Sequence, residues 1–426
     1  MTAHEPLHLA NRITASGRTM PIYTPTHLRR LHTYAIGQTG VGKSILLLNS
    51  VLQDIKEGRG ATVIDPHGDV ATHLLELIPP WRVNDTVYLD PSDTDHPFSF
   101  NILDGAGKDT RHLVASQVVA SMKSIWRDSF GPRMEYIFNH TIRALLDRGD
   151  STLLGVQKMY TDKDYRNQVV SFIQDPAVRS YWIDEFSNYT SRQRSEFVAP
   201  IQNKIGAFTQ HPIVRNIIGQ VKSKFSPRDA MDSGKIVIIN LSKGLLGSDA
   251  SNLLGSLIIA SYTLGALSRA DTKEYKRRDH FLYVDEFHNY ATDSFAEMLS
   301  EARKYRLSLH LFHQFTAQLS DRVREAIIGN VGTVVAFRCG ATDGAILEEV
   351  FDRDVLARQF TNLRPFHAFI KTISDGDVDS YKAVMLQPPR LYYNKSRSII
   401  RQSREAHARK REVVEDKIER FLSPMD

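Results

Sequence analysis

One cysteine, Cys339, occurs in 426 residues. A lone thiol excludes an intramolecular disulfide and fits a reducing compartment. It follows an apolar strand candidate, which suits a buried, inert thiol better than a nucleophile. No apolar run reaches the ~18 residues needed to span a bilayer. The nearest, from Leu253 to Leu267, is broken by Gly255, Ser256, Ser261 and Gly265. Met1-Thr2-Ala3-His4-Glu5 has no basic cluster followed by an apolar core, so no signal peptide is expected. These absences predict a cytoplasmic protein without an integral membrane segment, recruited to the inner face of a membrane only by a partner. Internal repeats and low-complexity tracts are also missing.

Hydrophobic residues make up 42% and charged residues 24%, ordinary for a globular chain of two or three domains. The net charge of +5 permits a polyanionic partner without demanding one.

Against this plain background one motif stands out. Gly37, Gln38, Thr39, Gly40, Val41, Gly42, Lys43 and Ser44 form a complete phosphate-binding loop. The glycines let successive backbone N–H groups turn inward around a polyphosphate, where side chains would block the approach. Lys43 is placed to reach the β- and γ-phosphates, and the Ser44 hydroxyl to ligate Mg²⁺. Residues 32–36 read as a short buried strand before the loop, and Ile45-Leu46-Leu47-Leu48 opens a helix whose N-terminus favours anions. The expected ligand is ATP with Mg²⁺.

Strand and helix alternate from about residue 31 to 106. Ala61-Thr62-Val63-Ile64-Asp65 and Thr86-Val87-Tyr88-Leu89-Asp90 are β-branched runs that both end in Asp-Pro. Such alternation predicts an α/β fold with a mostly parallel sheet covered on both faces. The strand signal vanishes across residues 107–230, where apolar spacing is helical, predicting an all-α insertion domain. Strand candidates return at residues 235–241, 281–284, 307–312, 333–337 and 367–373, so residues 31–106 and 231–390 are expected to form one domain. Residues 1–30 read as a lead-in segment and 391–426 as a basic tail helix.

Phe281-Leu282-Tyr283-Val284-Asp285-Glu286 is a buried strand ending in paired acids. Downstream of a phosphate loop, Asp285 suits Mg²⁺ held through water, and Glu286 suits the base that orients and deprotonates the attacking water. Asp65 ends a strand on the edge that carries the loop, so it is either a third carboxylate near the metal or a cap for the next helix. His67 beside it has no second His or Cys at metal spacing, which favours a structural role. Gln314 follows the strand at 307–312 and can sense the γ-phosphate through its amide. Arg303 lies on the helix after the acidic strand. By residue type it is a solvated basic side chain, or an arginine that stabilises transition-state charge in a neighbouring subunit.

Together these residues resemble the HerA/FtsK superfamily of DNA-translocating ATPases, and within it the type IV secretion coupling proteins of the TraD/TrwB kind. The resemblance covers roughly residues 31–390. It rests on the phosphate loop, Asp65-Pro66-His67-Gly68-Asp69, the acidic strand, Arg303-Lys304 and Gln314. The insertion, containing Gly131-Pro132-Arg133, resembles the all-α domain of coupling proteins. The resemblance implies a RecA-like P-loop NTPase core closed into a ring, usually a hexamer, with ATP between subunits and DNA, single- or double-stranded, as partner. It also implies Arg303 as the trans-acting finger, Gln314 as sensor, Glu286 as base and Asp65 as an acid close to the nucleotide. Conjugative or mobile-element DNA transfer follows, with a relaxase or secretion-channel proteins as further partners. Neither the transmembrane helices nor the N-terminal barrel of that pattern is expected from residues 1–426. A nucleotide-switched recruitment platform, and a HerA-like motor in DNA processing or antiphage defence, stay open. A small-molecule kinase is disfavoured by the acid pair and Gln314, which suit an activated water. DNA contact is expected at phosphates, with Arg192, Arg194 and Lys204 as candidates. The basic tail either binds DNA or packs against a neighbouring subunit through Ile399, Ile400 and Val413, the subunit contact being favoured.

Overall fold

The computed structural model describes residues 5–374 and 376–423. Residues 1–4 and 424–426, the ends of the lead-in and tail segments, lie outside the described residues. The chain divides into two compact units.

The first unit comprises Met1–Leu89, Pro227–Leu241 and Gly265–Gln402. Its frame is an eleven-stranded sheet ordered β2-β1-β11-β10-β9-β3-β8-β7-β4-β6-β5. In chain order the strands are β1 (Leu7–Ile13), β2 (Thr19–Thr24), β3 (Thr33–Ile36), β4 (Gly60–Asp65), β5 (Thr86–Leu89), β6 (Ile236–Asn240), β7 (His280–Val284), β8 (Leu307–His313), β9 (Thr333–Ala336), β10 (His367–Ser374) and β11 (Asp377–Val384). From β9 to β5 every pairing is parallel. β4, β6, β7 and β8 are buried along their whole length, which explains why β6 and β7 read as near-continuous apolar runs; β8 alternates leucine with Ser308 and His310, and those polar residues are buried too. This is the α/β fold with a RecA-like P-loop core and helical segments that the sequence predicts.

Three strands were not legible. β1 and β2 form a hairpin in the segment read as a lead-in, and β11 pairs antiparallel with both β10 and β1. These antiparallel strands extend one margin of the sheet, and β2 and β11 expose much of their length, so neither carries the apolar run that marks a buried strand.

The helix Lys43–Lys56 packs Leu47, Val51 and Ile55 into the core that includes Ala35, Val63, Tyr283 and Phe312. It stops at Gly58, whose φ of 74° supplies the left-handed residue that closes the last turn. Beneath it a buried ion network fixes the helix to the sheet. Asp54 accepts from Arg29 at 2.6 and 2.8 Å, from Arg59 at 2.8 Å and from the Tyr283 hydroxyl at 2.6 Å. Two guanidiniums share the one carboxylate, and Arg59 also donates to Glu5 O at 3.0 and 3.1 Å, which makes the burial tolerable.

The second unit comprises Asp90–Ser226, Ser242–Leu264 and Ser403–Asp426. Its longer helices are Arg111–Ile125, Pro132–Arg148 and Ser191–Thr209. Pro132 stands at the first position of its helix, where a missing N–H costs nothing. A capping box of Thr190 and Gln193 starts the third helix. The tail forms two helices, Ser396–His407 and Arg411–Leu422, rather than one. Ile399 is wholly buried in the first unit's core, whereas Val413 is exposed. Val414 and Ile418 pack instead with Leu154 in the second unit. The expected subunit contact through Ile399 is therefore unavailable, because its own chain already covers it.

Segment Ser248–Asp271 is long and apolar enough by composition to cross a membrane, and most of its apolar stretch is buried inside the protein.

Candidate nucleotide site

Four strand ends converge on one edge of the sheet. The phosphate loop leaves β3, Asp65 ends β4, Asp285-Glu286 follows β7 and Gln314 follows β8. Parallel pairing puts all four at the carboxyl edge, where open α/β sheets bind ligands.

The loop hangs between its neighbours. Gly37 N–H donates to His313 O at 3.3 Å, and Gln38 N–H to Arg338 O at 2.9 Å. A Cβ on Gly37 would lie 2.5 Å from Phe337 Cβ, so only glycine fits. Gly40 and Gly42 take φ of 77° and 118°, conformations that L side chains rarely adopt. The N–H groups of Gly40, Val41, Gly42 and Lys43 have no acceptor among the described residues. Converging orphan donors at the start of a long helix form a cradle for an anion. Lys43 is buried and donates from Nζ to Gly37 O at 2.6 Å and Gln38 O at 2.9 Å, closing the loop upon itself. Burial lowers its pKa, opposed by the charges of Glu286 and Asp285.

Asp285 is buried, and its pKa rises to about 7. Burial is the main cause, with repulsion from Asp65 and then Glu286 adding to it, while the Glu286 N–H and Lys43 oppose. Three carboxylates against one ammonium leave the cluster short of positive charge, which a divalent cation corrects. Among the described residues no group of three or more His, Cys, Asp and Glu side chains has metal-binding geometry. Mg²⁺ takes one or two protein ligands and completes its shell with phosphate and water. Ser44, exposed at the first turn of its helix, and Asp285 are the residues that fit it.

Glu286 adopts φ 44° and ψ 48°, left-handed backbone in a residue other than glycine. Such strain persists only where surroundings enforce it, and it clusters at functional sites. Its Oε1 accepts from Gln314 Nε2 at 2.9 Å. Its buried Oε2 faces His288 Nδ1 at 3.5 Å, too long for a firm hydrogen bond. Gln318 Nε2 lies 3.0 Å from His288 Nε2, and the amide can only donate, so the ring proton is assigned to Nδ1, facing Glu286. Nothing in the sequence distinguishes His288 from other polar loop residues.

Asp65 is fully buried and caps the following helix, accepting from His67 N–H at 2.8 Å and Ala71 N–H at 2.9 Å. Of the two sequence readings this is the helix cap; its charge also helps to raise the Asp285 pKa. His67 is exposed. Cys339 is buried and its thiol is pushed up to about 12 by burial, leaving it inert at neutral pH.

Arg303 stands apart. It is exposed in the turn Ala302–Tyr305 that precedes β8, at the opposite edge of the sheet from the phosphate loop. β8 has seven residues, so the separation is roughly 20 Å at ~3.3 Å per residue. Arg303 therefore has no part in the site of its own chain. Arg192 is exposed, Arg194 donates to Ser187 O at 3.0 Å, and Lys204 lies 5.5 Å from the Trp126 ring centre.

A parallel sheet whose carboxyl edge gathers a phosphate loop, a paired-acid strand end and a strand-end glutamine defines a RecA-like P-loop NTPase. The chain belongs to the coupling proteins of type IV secretion: residues 18–351 match the family model described as the type IV secretion-system coupling protein DNA-binding domain. Among solved structures, the unbound bacterial conjugative coupling protein TrwBdeltaN70 aligns with a TM-score of 0.63 at 16% identity, covering 91% of this chain and 90% of that one. The plasmid coupling protein TrwB in complex with ADP and Mg²⁺ aligns at 0.62 and 16% identity, over 91% of each chain. VirB4 of Thermoanaerobacter pseudethanolicus aligns at 0.59 and 11% identity, over 89% of this chain and 97% of that one. At these identities the likeness is one of fold. No curated protein matches the chain.

Proposed function

We propose that this chain is the motor of a DNA-transfer apparatus, a ring-forming ATPase that hydrolyses ATP between adjacent subunits to move DNA. The observation that carries the reading is the contact of Gln314 with Glu286 beside the phosphate loop. It joins a base for an attacking water to a side chain able to report the γ-phosphate. Family membership and the ADP and Mg²⁺ held by the structurally similar TrwB support nucleotide and DNA as ligands.

In this reading the loop N–H groups and Lys43 hold the triphosphate, and Ser44 with Asp285 holds Mg²⁺. Glu286 orients a water and takes its proton as the water oxygen bonds to the γ-phosphorus. The bond to the β–γ bridging oxygen breaks, and ADP and phosphate leave. Loss of the γ-phosphate releases Gln314 and changes how one subunit sits on the next. Arg303, too far from its own loop, serves the site of a neighbouring copy. The domains proposed are residues 31–106 and 231–390 as motor and residues 107–230 as an all-α insertion offering Arg192, Arg194 and Lys204 to DNA phosphates, although residues 90–106 and Ser242–Leu264 group with the insertion in the second compact unit. A relaxase or secretion-channel protein completes the apparatus at the inner face of the membrane.

ATP hydrolysis measured with and without DNA at several salt concentrations tests this. DNA should stimulate turnover, and the stimulation should fall as salt rises. Hydrolysis indifferent to DNA at every salt concentration overturns the motor and leaves a nucleotide-switched recruitment platform.

A further inference from the structure

Phe366 is an apolar side chain in an unusual backbone state beside the phosphate loop. Its φ is 62°, and among the described residues it is the only apolar one with a left-handed backbone. Two hydrogen bonds hold it there. Its N–H donates to Val41 O at 2.8 Å within the phosphate loop, and its carbonyl accepts from Met385 N–H at 2.9 Å at the end of β11. The ring lies against the loop, since a Cβ built on Gly42 would meet Phe366 Cδ1 at 3.1 Å. Yet the residue stays 45% exposed. A bulky aromatic kept strained, tethered at both backbone groups and half open to solvent gives the fold little packing in return. Strain of this kind is retained where the side chain must stand in one place.

Topology says what that place is. β10 runs antiparallel to β9, with Phe369 beside Ala336, and Ala336 lies beside Ile36 of β3. The start of β10 therefore lies at the same sheet edge as the phosphate loop. The strand order β10-β9-β3-β8-β7 puts Phe366 on one flank of the loop and Glu286 with Gln314 on the other. A triphosphate whose γ end meets Glu286 and Gln314 sends its opposite end, the one bearing the nucleoside, toward the β9–β10 flank. An exposed, fixed aromatic ring at that point suits the flat face of a base.

We propose that Phe366 is the nucleobase platform of the site, its ring stacking on the purine while the loop holds the phosphates. This rests on the nucleotide reading above and adds the residue that recognises the nucleoside half. A stacking face carries no hydrogen-bond code, so it favours nucleotides over bare polyphosphates without choosing strongly between purines.

Calorimetric titration of Mg-ATP and Mg-tripolyphosphate into the full chain and its Phe366→Ala and Phe366→Trp variants tests the assignment. Alanine at this φ is as strained as phenylalanine, so the substitution removes the ring and little else. Phe366→Ala should weaken ATP about tenfold and leave tripolyphosphate within about twofold, while Phe366→Trp keeps ATP affinity. An unchanged ATP affinity in Phe366→Ala overturns the proposal. So does equal weakening of both ligands, which would make the ring a brace for Gly42. If the unmodified chain binds neither ligand, the nucleotide reading itself fails and this inference falls with it.

Discussion

Gln314 donates from Nε2 to Glu286 Oε1 at 2.9 Å, although the two residues end different strands. The contact leaves Oε2 of Glu286 as the oxygen able to take a proton. It also ties that oxygen's position to a side chain able to feel the γ-phosphate. Glu286→Gln should therefore bind ATP with near-normal affinity and lose at least about 10²-fold in kcat, the usual contribution of a positioned base. Gln314→Ala should lower kcat with little change in ATP affinity, because it frees the base without touching the phosphate cradle. Lys43→Ala should lose both binding and turnover. Nucleotide titration beside steady-state hydrolysis separates the three. Normal turnover in Glu286→Gln would remove it as the base.

Gly37 and Gly40 are both loop glycines, and the structure ranks them. A Cβ at position 37 meets Phe337 Cβ at 2.5 Å, an atom that cannot swing away, whereas position 40 has nothing within 4 Å and a φ of 77°. Gly37→Ala therefore combines a clash with loss of loop shape, at about 1–3 kcal/mol. Gly40→Ala carries only the left-handed strain, about 1–2 kcal/mol. Thermal unfolding with and without Mg-ATP should show the Gly37 variant less stable and no longer raised by nucleotide. The Gly40 variant should keep part of that rise.

What the sequence revealed of this site follows from how each residue acts. The phosphate loop works through backbone shape, and that requirement writes glycines at fixed spacing. Asp285 and Glu286 end a strand whose burial on both faces produces an uninterrupted apolar run. Phe366 left no such mark, because its role depends on β10 reversing direction beside β9, and pairing between distant strands is absent from local pattern. β1, β2 and β11 escaped for a related reason: they meet through antiparallel pairing at a sheet margin and lack a fully buried run. Arg303 was visible as a basic residue, but only the sheet shows it at the wrong edge for its own loop.

Buried histidines should make the protein sensitive to mild acid. Burial lowers His32 to about 4, His280 and His313 to about 3, and His310 well below its ordinary 6.5. In each case the unfolded chain binds a proton that the folded one refuses, so stability present above 6.5 is lost as pH falls toward those folded values. Asp285 has the opposite sign. Its raised pKa means the folded state keeps a proton between 3.8 and about 7, contributing stability at low pH that disappears as pH rises through 7. Each titration contributes a slope of at most ~1.4 kcal/mol per pH unit, so four histidines outweigh one aspartate. Urea midpoints should fall between pH 7 and pH 5. Asp285→Asn should make that fall steeper by removing the opposing group. A midpoint unchanged over this range would show that the histidines are not held neutral.

Arg303, at the edge away from its own phosphate loop, turns the trans-acting assignment into a mixing experiment. Lys43→Ala subunits lack a working loop but still carry Arg303, and Arg303→Ala subunits have the reverse defect. Each should be nearly inactive alone, since an arginine finger is worth about 10³–10⁵ in rate. Mixed in equal amounts and allowed to exchange, they should recover turnover. An intact loop then meets an intact arginine wherever an Arg303→Ala subunit offers its site to a Lys43→Ala neighbour, about a quarter of the interfaces in a closed ring. Recovery identifies both the shared site and the side of the subunit that completes it. No recovery, from subunits that demonstrably co-assemble, would return Arg303 to the solvated helix face that its residue type alone suggests.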